Sequence, residues 1–246
     1  MKNFVLTGAT ADGAKGLVNI LAKNPDNKLV LISRSKSEAL EKLSESKNIL
    51  YFSGIDLRGF DRQTDVINKI DNFFHSEFAL IHFAGDFWEH PAFLDTPVDK
   101  AKVMMDSQYL TLYSTCYALI PIMQKKGGGR IVALGDNATH HHLPHMTSFT
   151  AAKAAVEATI KCIAHEFAKD NIIANVLAIS SLKTPKNKKI KPYGDYDNYI
   201  GLDELGQALT DIVNLPKIIN GTTFKAFEYS DSYFNEGYFQ RINQTI

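Results

Sequence analysis

The sequence predicts an α/β protein built on a Rossmann-type, doubly wound parallel sheet of about seven strands with helices on both faces. The first observation behind this prediction is that short apolar segments alternate with helical patterns along the whole chain. The second is that most of these segments are continuously apolar, which is typical of strands covered on both faces. No repeat, low-complexity segment or linker divides the chain, so residues 1–246 are predicted to form a single domain.

Seven short segments predict strands, at residues 3–6, 28–33, 48–53, 78–85, 129–135, 171–179 and 222–227. Helical patterns lie at 16–24, 37–46, 61–74, 98–126 and 147–169. In the last of these, apolar residues recur at steps of four, three and four, which places them on one face of a helix: Val156, Ile160, Ile163 and Phe167. Strands that alternate with helices in this way favour a parallel sheet.

The segment around 180–200 is long, polar and rich in tyrosine, and it follows the sixth predicted strand. Loops of this length in compact domains are usually lids or binding loops. Ligands of open α/β sheets bind outside the carboxyl ends of the strands, where this segment begins. It is therefore predicted to be a substrate lid.

The composition argues against several function classes. Lysine plus arginine and aspartate plus glutamate each number 27, so the formal net charge is zero and no broad basic surface for nucleic acid is indicated. No segment is apolar over the length of a membrane span, and the N-terminal apolar run is too short for a signal peptide. We expect a cytoplasmic protein with no nucleic acid or membrane partner. Cys116 and Cys162 lie in apolar helical patterns and are expected to be buried, reduced thiols.

The turn after the first strand, "TGATADGAKGLV", is rich in glycine. Glycines at a strand-to-helix turn let backbone N–H groups approach a phosphate at a helix N-terminus. Thr7, Gly8, Thr10 and Gly13 are therefore candidate cofactor-binding residues. The feature is weak by itself, because a plain glycine-containing turn explains it equally well.

The second strand ends in Ser33, Arg34 and Ser35, where a dinucleotide site meets the adenosine ribose. An acidic residue there would bind the ribose 2′-hydroxyl, whereas an arginine with serines suits a 2′-phosphate. The alternative is that Arg34 is a solvated charge at the end of a strand.

The third and fourth strands also end in candidate ligand-binding residues. Asp56, followed by Leu57, places a carboxylate where it would meet an adenine amino group, although Asp56 would serve equally as the cap of the next helix. Ala84 and Gly85 form a small pair that lets the backbone pass close to a ligand.

With these motifs in order, the chain resembles the short-chain dehydrogenase/reductase family in its compact single-domain form. The resemblance rests on "TGAT", the "DL" after the third strand, "FAG", "GGGRIVALG", "FTAAKAAVE" and the late "ING". It implies an extended Rossmann fold that binds NAD(H) or NADP(H) and acts on a small molecule, without a metal. Arg34 favours NADP(H) over NAD(H). The resemblance also implies a homo-oligomer, a dimer or tetramer formed through the two long helices.

The catalytic positions implied by the resemblance are only partly retained. The family uses a tyrosine as proton donor, a serine that polarises the substrate oxygen, a lysine on the nicotinamide ribose and an asparagine in the preceding long helix. Lys153 matches the lysine, but Phe149 stands at the tyrosine position and Asp136 at the serine position. Gln108 falls near the asparagine position.

These departures have different weights. Phe149 removes a general acid, which is worth about 10² to 10⁴ in rate. An ionised Asp136 would repel a developing alkoxide. Asp136 would alternatively pair with Lys153, or stay protonated in a dry pocket and donate a hydrogen bond.

The glycine turn and the end of the sixth strand depart as well. Asp12 and Ala14 replace the second and third glycines of the family's usual spacing, and Ile179-Ser180 replaces its usual Pro-Gly. An aspartate beside a pyrophosphate is unfavourable unless it points away.

Other polar groups lie near the predicted cleft. The histidines His140, His141, His142 and His145 are consecutive or nearly so, a pattern that rarely converges on one metal ion, but one of them facing the pocket would be a possible acid. Other candidates for lining the cleft or covering it are Tyr193, Tyr196, Tyr199 and Trp88. The basic run 183–191 is predicted to be a solvated loop. The alternative is that its lysines attract an anionic substrate.

Three hypotheses follow. The chain is an oxidoreductase for a small carbonyl, alcohol or activated double bond with a non-standard catalytic centre. Alternatively, it is a catalytically impaired dinucleotide-binding protein that acts as a sensor or regulatory subunit. The third hypothesis is a structural subunit with little nucleotide affinity.

Overall fold

The computed structural model describes residues 1–87, 92–142, 144–190 and 196–226. Within these residues seven parallel strands form one sheet in the order β3-β2-β1-β4-β5-β6-β7. The strands are β1 (Asn3–Thr7), β2 (Lys28–Ile32), β3 (Ile49–Phe52), β4 (Phe78–His82), β5 (Gly129–Asp136), β6 (Ile172–Ile179) and β7 (Thr223–Ala226). The predicted fold class, a doubly wound α/β sheet, is confirmed. The end of the seventh predicted strand, Phe227, lies outside the described residues.

The helices alternate with these strands. They are α1 (Asp12–Ala22), α2 (Glu38–Leu43), α3 (Thr64–Phe73), α4 (Val98–Met105), α5 (Thr111–Lys125), α6 (Ala138–His141), α7 (Thr147–Glu166), α8 (Pro185–Ile190) and α9 (Leu202–Val213). A π-helical turn, Asp106–Leu110, joins α4 to α5. The long helix predicted at 98–126 is therefore two α-helices joined by this turn. Short 3₁₀ turns cover Leu57–Arg62, Phe93–Asp95, Ala168–Asp170 and Tyr196–Asn198.

The sheet has a hydrophobic core on each face. One core is formed with α3, α5 and α7 and includes Phe74, Leu119 and Ile160. The other is formed with α1, α2 and α9 and includes Leu17 and Leu209. Because both faces are covered, the strands are continuously apolar, which is the pattern that predicted them.

The chain reverses its direction of winding between β1 and β4, since β1 pairs with β2 on one side and with β4 on the other. A crevice opens beyond the carboxyl ends of strands at such a switch point. The turns after β1, β4, β5 and β6 all reach this edge of the sheet.

Three helices were missed by the sequence analysis, namely the short α6 in the histidine-rich segment, α8 and α9. α9 carries Leu205, Leu209 and Ile212 on its buried face, a helical spacing that was present in the sequence. α8 lies inside the segment predicted to be a loop. It begins after Thr184, whose hydroxyl accepts a hydrogen bond from Asn187 N at 3.1 Å, and Pro185 takes the first helical position.

The cysteine prediction was half wrong. Cys116 is buried, and burial raises the pKa of its thiol to about 12. Cys162 is exposed, because it lies off the apolar stripe of α7, which buries Val156, Ile160 and Ile163. No helix in the described part of the chain combines the length and the apolar character needed to cross a membrane.

Candidate functional site

A cavity of about 210 Å³ lies beyond the carboxyl ends of the central strands. Four strand-end segments contribute to it, those that follow β1 and β4 and those that end β5 and β6. Its lining includes Gly13, Gly85, Asp136, Lys153 and Ser180. The predicted lid also contributes Leu182, Lys186 and Asn187, which the sequence analysis did not single out.

The turn after β1 is shaped by Gly8. Its φ of +70° is in the left-handed region, and a Cβ atom at this position would lie 2.6 Å from the backbone nitrogen of Ala84. Only glycine fits both constraints. Helix α1 then begins after Ala11 with no side-chain cap, so backbone N–H groups at its N-terminus remain for a ligand. Asp12 forms an ion pair with Lys15 at 2.6 Å, which offsets its negative charge at this helix end.

Lys153 is the buried cation of the cavity. Its Nζ donates a hydrogen bond to the carbonyl oxygen of Leu134 at 2.9 Å. Burial lowers the pKa of Lys153 to about 8, and the nearby Asp136 carboxylate opposes this shift. Neutral pH lies below this pKa, so the ammonium is mostly charged there, although it is close to its titration midpoint. The charged form is the one that donates hydrogen bonds.

Phe149 lies one helical turn before Lys153 and is 3% exposed. Its ring centroid is 5.0 Å from that of Phe87 in an edge-to-face arrangement, and Lys153 Nζ is 5.8 Å from the ring. The side chain has no titratable group, so the position can exclude water and support a cation but cannot move a proton.

Asp136 ends β5 and caps the short helix that follows. Its Oδ1 accepts a hydrogen bond from Ala138 N at 2.8 Å, while its carbonyl oxygen accepts one from the Thr139 hydroxyl at 2.9 Å. The neighbouring amide of Asn137 is 1% exposed, and neither of its polar atoms has a hydrogen-bond partner among the described residues. Buried polar groups of this kind usually bind water or a ligand.

Gln108 lies in the π-helical turn and is buried. Its Nε2 donates a hydrogen bond to the carbonyl oxygen of Asp86 at 2.7 Å, and its side chain fills the space where a Cβ of Gly85 would lie. Single π-helical turns inside α-helices are frequent at functional sites. Gln108 thus fixes the backbone of the segment after β4 at the cavity.

His82 is a buried residue at this edge that the sequence analysis did not select. Its Nδ1 is 2.7 Å from the Thr7 hydroxyl and its Nε2 is 3.3 Å from the Thr111 hydroxyl. Thr111 donates to the carbonyl oxygen of Ser107 at 2.7 Å, so it accepts from Nε2–H, and Thr7 donates to Nδ1. Burial, with a smaller effect of Lys153, lowers the pKa of His82 to about 3. The sequence feature that could have identified this residue is a histidine at the end of an apolar strand.

The ribose-end candidates differ in exposure. The Ser33 hydroxyl is buried and donates to the carbonyl oxygen of Ser35 at 2.6 Å, with the Tyr51 hydroxyl 2.9 Å away. Arg34 is exposed, and its guanidinium lies 3.7 Å from the Asp86 carboxylate. An exposed pair at this distance contributes little free energy, so a phosphate can compete for Arg34.

Asp56 caps the 3₁₀ turn that follows β3. Capping was the second of the two interpretations of this residue from the sequence. Its carboxylate accepts hydrogen bonds at 3.0 Å from both the backbone N and Nε of Arg58. These bonds, the side-chain bond foremost, lower the pKa of Asp56. Leu57 is buried in the core. Neither side chain lines the cavity.

None of the four histidines at positions 140, 141, 142 and 145 is among the described lining residues of this cavity. Burial lowers the pKa of His140, whose Nε2 is 3.8 Å from Glu157, while Glu157 accepts hydrogen bonds from Lys161 and Thr223. No group of histidine, cysteine and acidic side chains in the described ranges could hold a metal ion. Tyr199 is buried with no hydrogen-bond partner for its hydroxyl among described atoms, whereas Trp88 and Tyr193 lie outside the described residues.

The family model described as short chain dehydrogenase matches residues 2–193 of the chain. The chain belongs to the short-chain dehydrogenase/reductase family.

The chain is similar, at low sequence identity, to several individual proteins. The enoyl-acyl-carrier-protein reductase (NADH) FabI of Rickettsia typhi is 24% identical over 211 residues, which are 76% of this chain and 78% of that protein. The structure of ElxO with NADP bound superposes with a TM-score of 0.80 at 22% identity, covering 91% of this chain and 96% of ElxO. A tyrosine-to-phenylalanine variant of ElxO with NADPH bound gives the same TM-score at 23% identity.

Within this short-chain dehydrogenase/reductase, the structure brings Gly13, Gly85, Gln108, Asp136, Phe149 and Lys153 to one cavity. Thr7, Ser33 and Leu57 are buried but are not among its described lining residues, and Arg34 and Asp56 lie at exposed strand ends.

Proposed function

We propose that this family member binds a nicotinamide dinucleotide, with NADP(H) favoured over NAD(H). We further propose that it is an oxidoreductase for a small carbonyl, alcohol or activated double bond with a non-standard catalytic centre. The observation that carries the proposal is Lys153: a buried ammonium whose pKa is about 8 lines a cavity bordered by a glycine turn. Burying a charged lysine costs stability, and binding a ligand would give the buried charge a function.

The residues at the cavity fit a dinucleotide. The Gly8–Gly13 turn and the uncapped N-terminus of α1 would bind the pyrophosphate. Arg34 and Ser35 would bind the 2′-phosphate, with Asp56 near the adenine, and Lys153 would bind the nicotinamide ribose. Bulk at Gly13 would close the space, because a Cβ there would already lie 3.1 Å from the Leu182 side chain.

When bound, the dinucleotide would supply or accept a hydride. Lys153, charged below about pH 8, would stabilise negative charge that develops on a substrate oxygen. Phe149 would deliver no proton, so protonation would come from solvent. This arrangement favours an activated double bond, whose negative charge is delocalised, over a plain carbonyl.

Two contacts favour the alternative of a catalytically impaired binding protein. Phe87 packs against the Phe149 ring, and the Asp136 carboxylate caps α6. The positions of the family's proton donor and of its oxygen-polarising serine are thus used for packing and capping.

A fluorescence titration with NADPH and with NADH tests the proposal. We expect saturable binding of both, with NADPH bound more tightly. The variant Arg34→Ala should weaken NADPH binding about tenfold or more, since a hydrogen bond to a charged group is worth about 1.5–3 kcal/mol. It should leave NADH binding nearly unchanged.

Lys36→Ala is the matched control, because Lys36 is an exposed cation two residues away that pairs with Glu41 at 3.1 Å. Equal losses in both variants would reject Arg34 as the phosphate ligand. No saturable binding of either nucleotide at millimolar concentration would reject the proposal and leave a structural subunit.

A further inference from the structure

A second cavity, of about 280 Å³, also has Phe149 in its lining. Its described lining comes from Phe93, Leu94 and Thr96 before α4, from the first turn of α4, and from the segment 145–149 at the start of α7. We call it the α4–α7 cavity. Phe149 lines both this cavity and the one that contains Lys153, so its ring is a shared wall.

The described lining of the α4–α7 cavity is mainly apolar. Its apolar side chains include Val98, Ala101, Met146 and Phe149, and no acidic residue, lysine or arginine is among its described lining residues. His145 and a few hydroxyl groups supply the polar atoms. A charged ligand group would lose its water here without gaining an opposite charge. The lining therefore favours an uncharged, apolar ligand.

The mouth of the cavity is apolar as well. Phe93, Leu94 and Val98 are 70%, 92% and 86% exposed, while Met146 and Phe149 are buried at its base. Single exposed apolar side chains are common, whereas a group of large ones beside a cavity is a feature of interaction sites. The volume is close to the lower end of small-molecule sites, about 300–1,000 Å³.

We propose that the α4–α7 cavity binds an uncharged aliphatic chain, and that this chain is part of the substrate of the proposed oxidoreductase. The second half of this proposal rests on the proposed function. The shared Phe149 wall places the end of such a chain beside the cavity of Lys153. Phenylalanine suits this position because it offers an apolar surface to the aliphatic chain, which a buried hydroxyl would not.

Displacement of Nile red, an uncharged apolar dye, by the n-alkan-1-ols from butanol to decanol tests the site without any nucleotide. We expect affinity to rise about fourfold for each methylene, the effect of burying one CH₂ group, until the cavity is full. Displacement that does not depend on chain length, or no saturable dye binding, would overturn the proposal.

The variant Ala101→Phe should fill the cavity and abolish alcohol binding. Val103→Phe is its control: it adds the same ring to the same helix at a 46% exposed position that does not line the cavity. Should Ala101→Phe fail to fold, Ala101→Leu should shorten the longest alcohol that still gains affinity. Equal effects at positions 101 and 103 would count against the site.

Two further measurements separate this inference from the proposed function. NADPH binding without any chain-length effect rejects the aliphatic site alone, whereas chain-length-dependent binding without NADPH binding rejects only the oxidoreductase. If a second copy of the chain covers the apolar mouth, alcohols will not displace the dye and Val98→Asp will lower the sedimenting mass. That result would also overturn the aliphatic site.

Discussion

Phe149 and Asp136 are the two residues on which the proposed chemistry depends. The sequence identified both positions, because they lie at fixed separations from Lys153. What the side chains do there was not determined by spacing. Packing against Phe87 and capping of α6 became visible only in three dimensions.

The double variant Phe149→Tyr with Asp136→Ser should restore a proton donor and an oxygen-polarising hydroxyl. We expect carbonyl reduction to rise about 10²-fold or more, the contribution of a general acid, measured as NADPH oxidation over a panel of aldehydes and ketones. Reduction of activated double bonds should change less, since it depends less on that proton.

Phe149→Leu with Asp136→Ser is the matched control, as it restores no phenol. A double variant that binds NADPH but stays inactive on every carbonyl would favour the impaired binding protein over an enzyme with a merely weakened centre.

His82 should make folding stability depend on pH. The pKa of His82 is about 3 in the folded chain and 6.5 in its unperturbed state, so the unfolded chain binds the proton first as pH falls. The stability that the neutral, buried His82 contributes is fully present above pH 6.5 and is lost towards pH 3. The loss is about 1.4 kcal/mol per pH unit.

Urea unfolding between pH 7 and pH 4 measures this loss. Its slope with pH should be smaller in His82→Gln than in the wild type. His142→Gln, which removes an exposed histidine, should keep the wild-type slope. An identical slope in all three proteins would contradict the assignment.

At the scale of the elements, the contact between α1 and α9 depends on small residues. A Cβ at Gly16 would meet the backbone carbonyl of Leu202, and one at Gly206 would lie 2.7 Å from the backbone nitrogen of Leu17. The sequence showed Gly16 as part of a possible phosphate-binding turn. The structure assigns it to close packing of two helices.

Gly16→Ala should therefore destabilise the fold by about 1–3 kcal/mol or more, the usual cost of overpacking. The midpoint of urea unfolding measures the change. Gly59→Ala, where no atom lies within 4 Å of the added Cβ, should stay within about 0.5 kcal/mol of the wild type. Similar losses at both positions would exclude steric overlap as the cause.

At the scale of the whole molecule, α5 carries exposed aromatic side chains. Tyr113 and Tyr117 are 48% and 68% exposed. Exposed apolar surface on long helices is typical of interfaces between subunits. We expect the chain to form a dimer or tetramer through this surface and α7.

Tyr117→Glu should lower the sedimenting mass at micromolar concentration, because it would place a charge in the interface. Ile218→Glu, at a 91% exposed position outside these helices, should not. A monomeric wild-type protein would contradict the expected assembly.

The sequence by itself determined the succession of strands along the chain, the parallel sheet and the lysine that lines the cavity. These follow from local patterns, namely continuously apolar strands and residues at fixed helical spacing. Only the tertiary structure decided the neutral tautomer of His82, the role of Gly16 and the apolar cavity lined in part by Phe149. Each of these depends on contacts between segments that are distant in the chain. A local sequence pattern does not specify which distant segments come into contact.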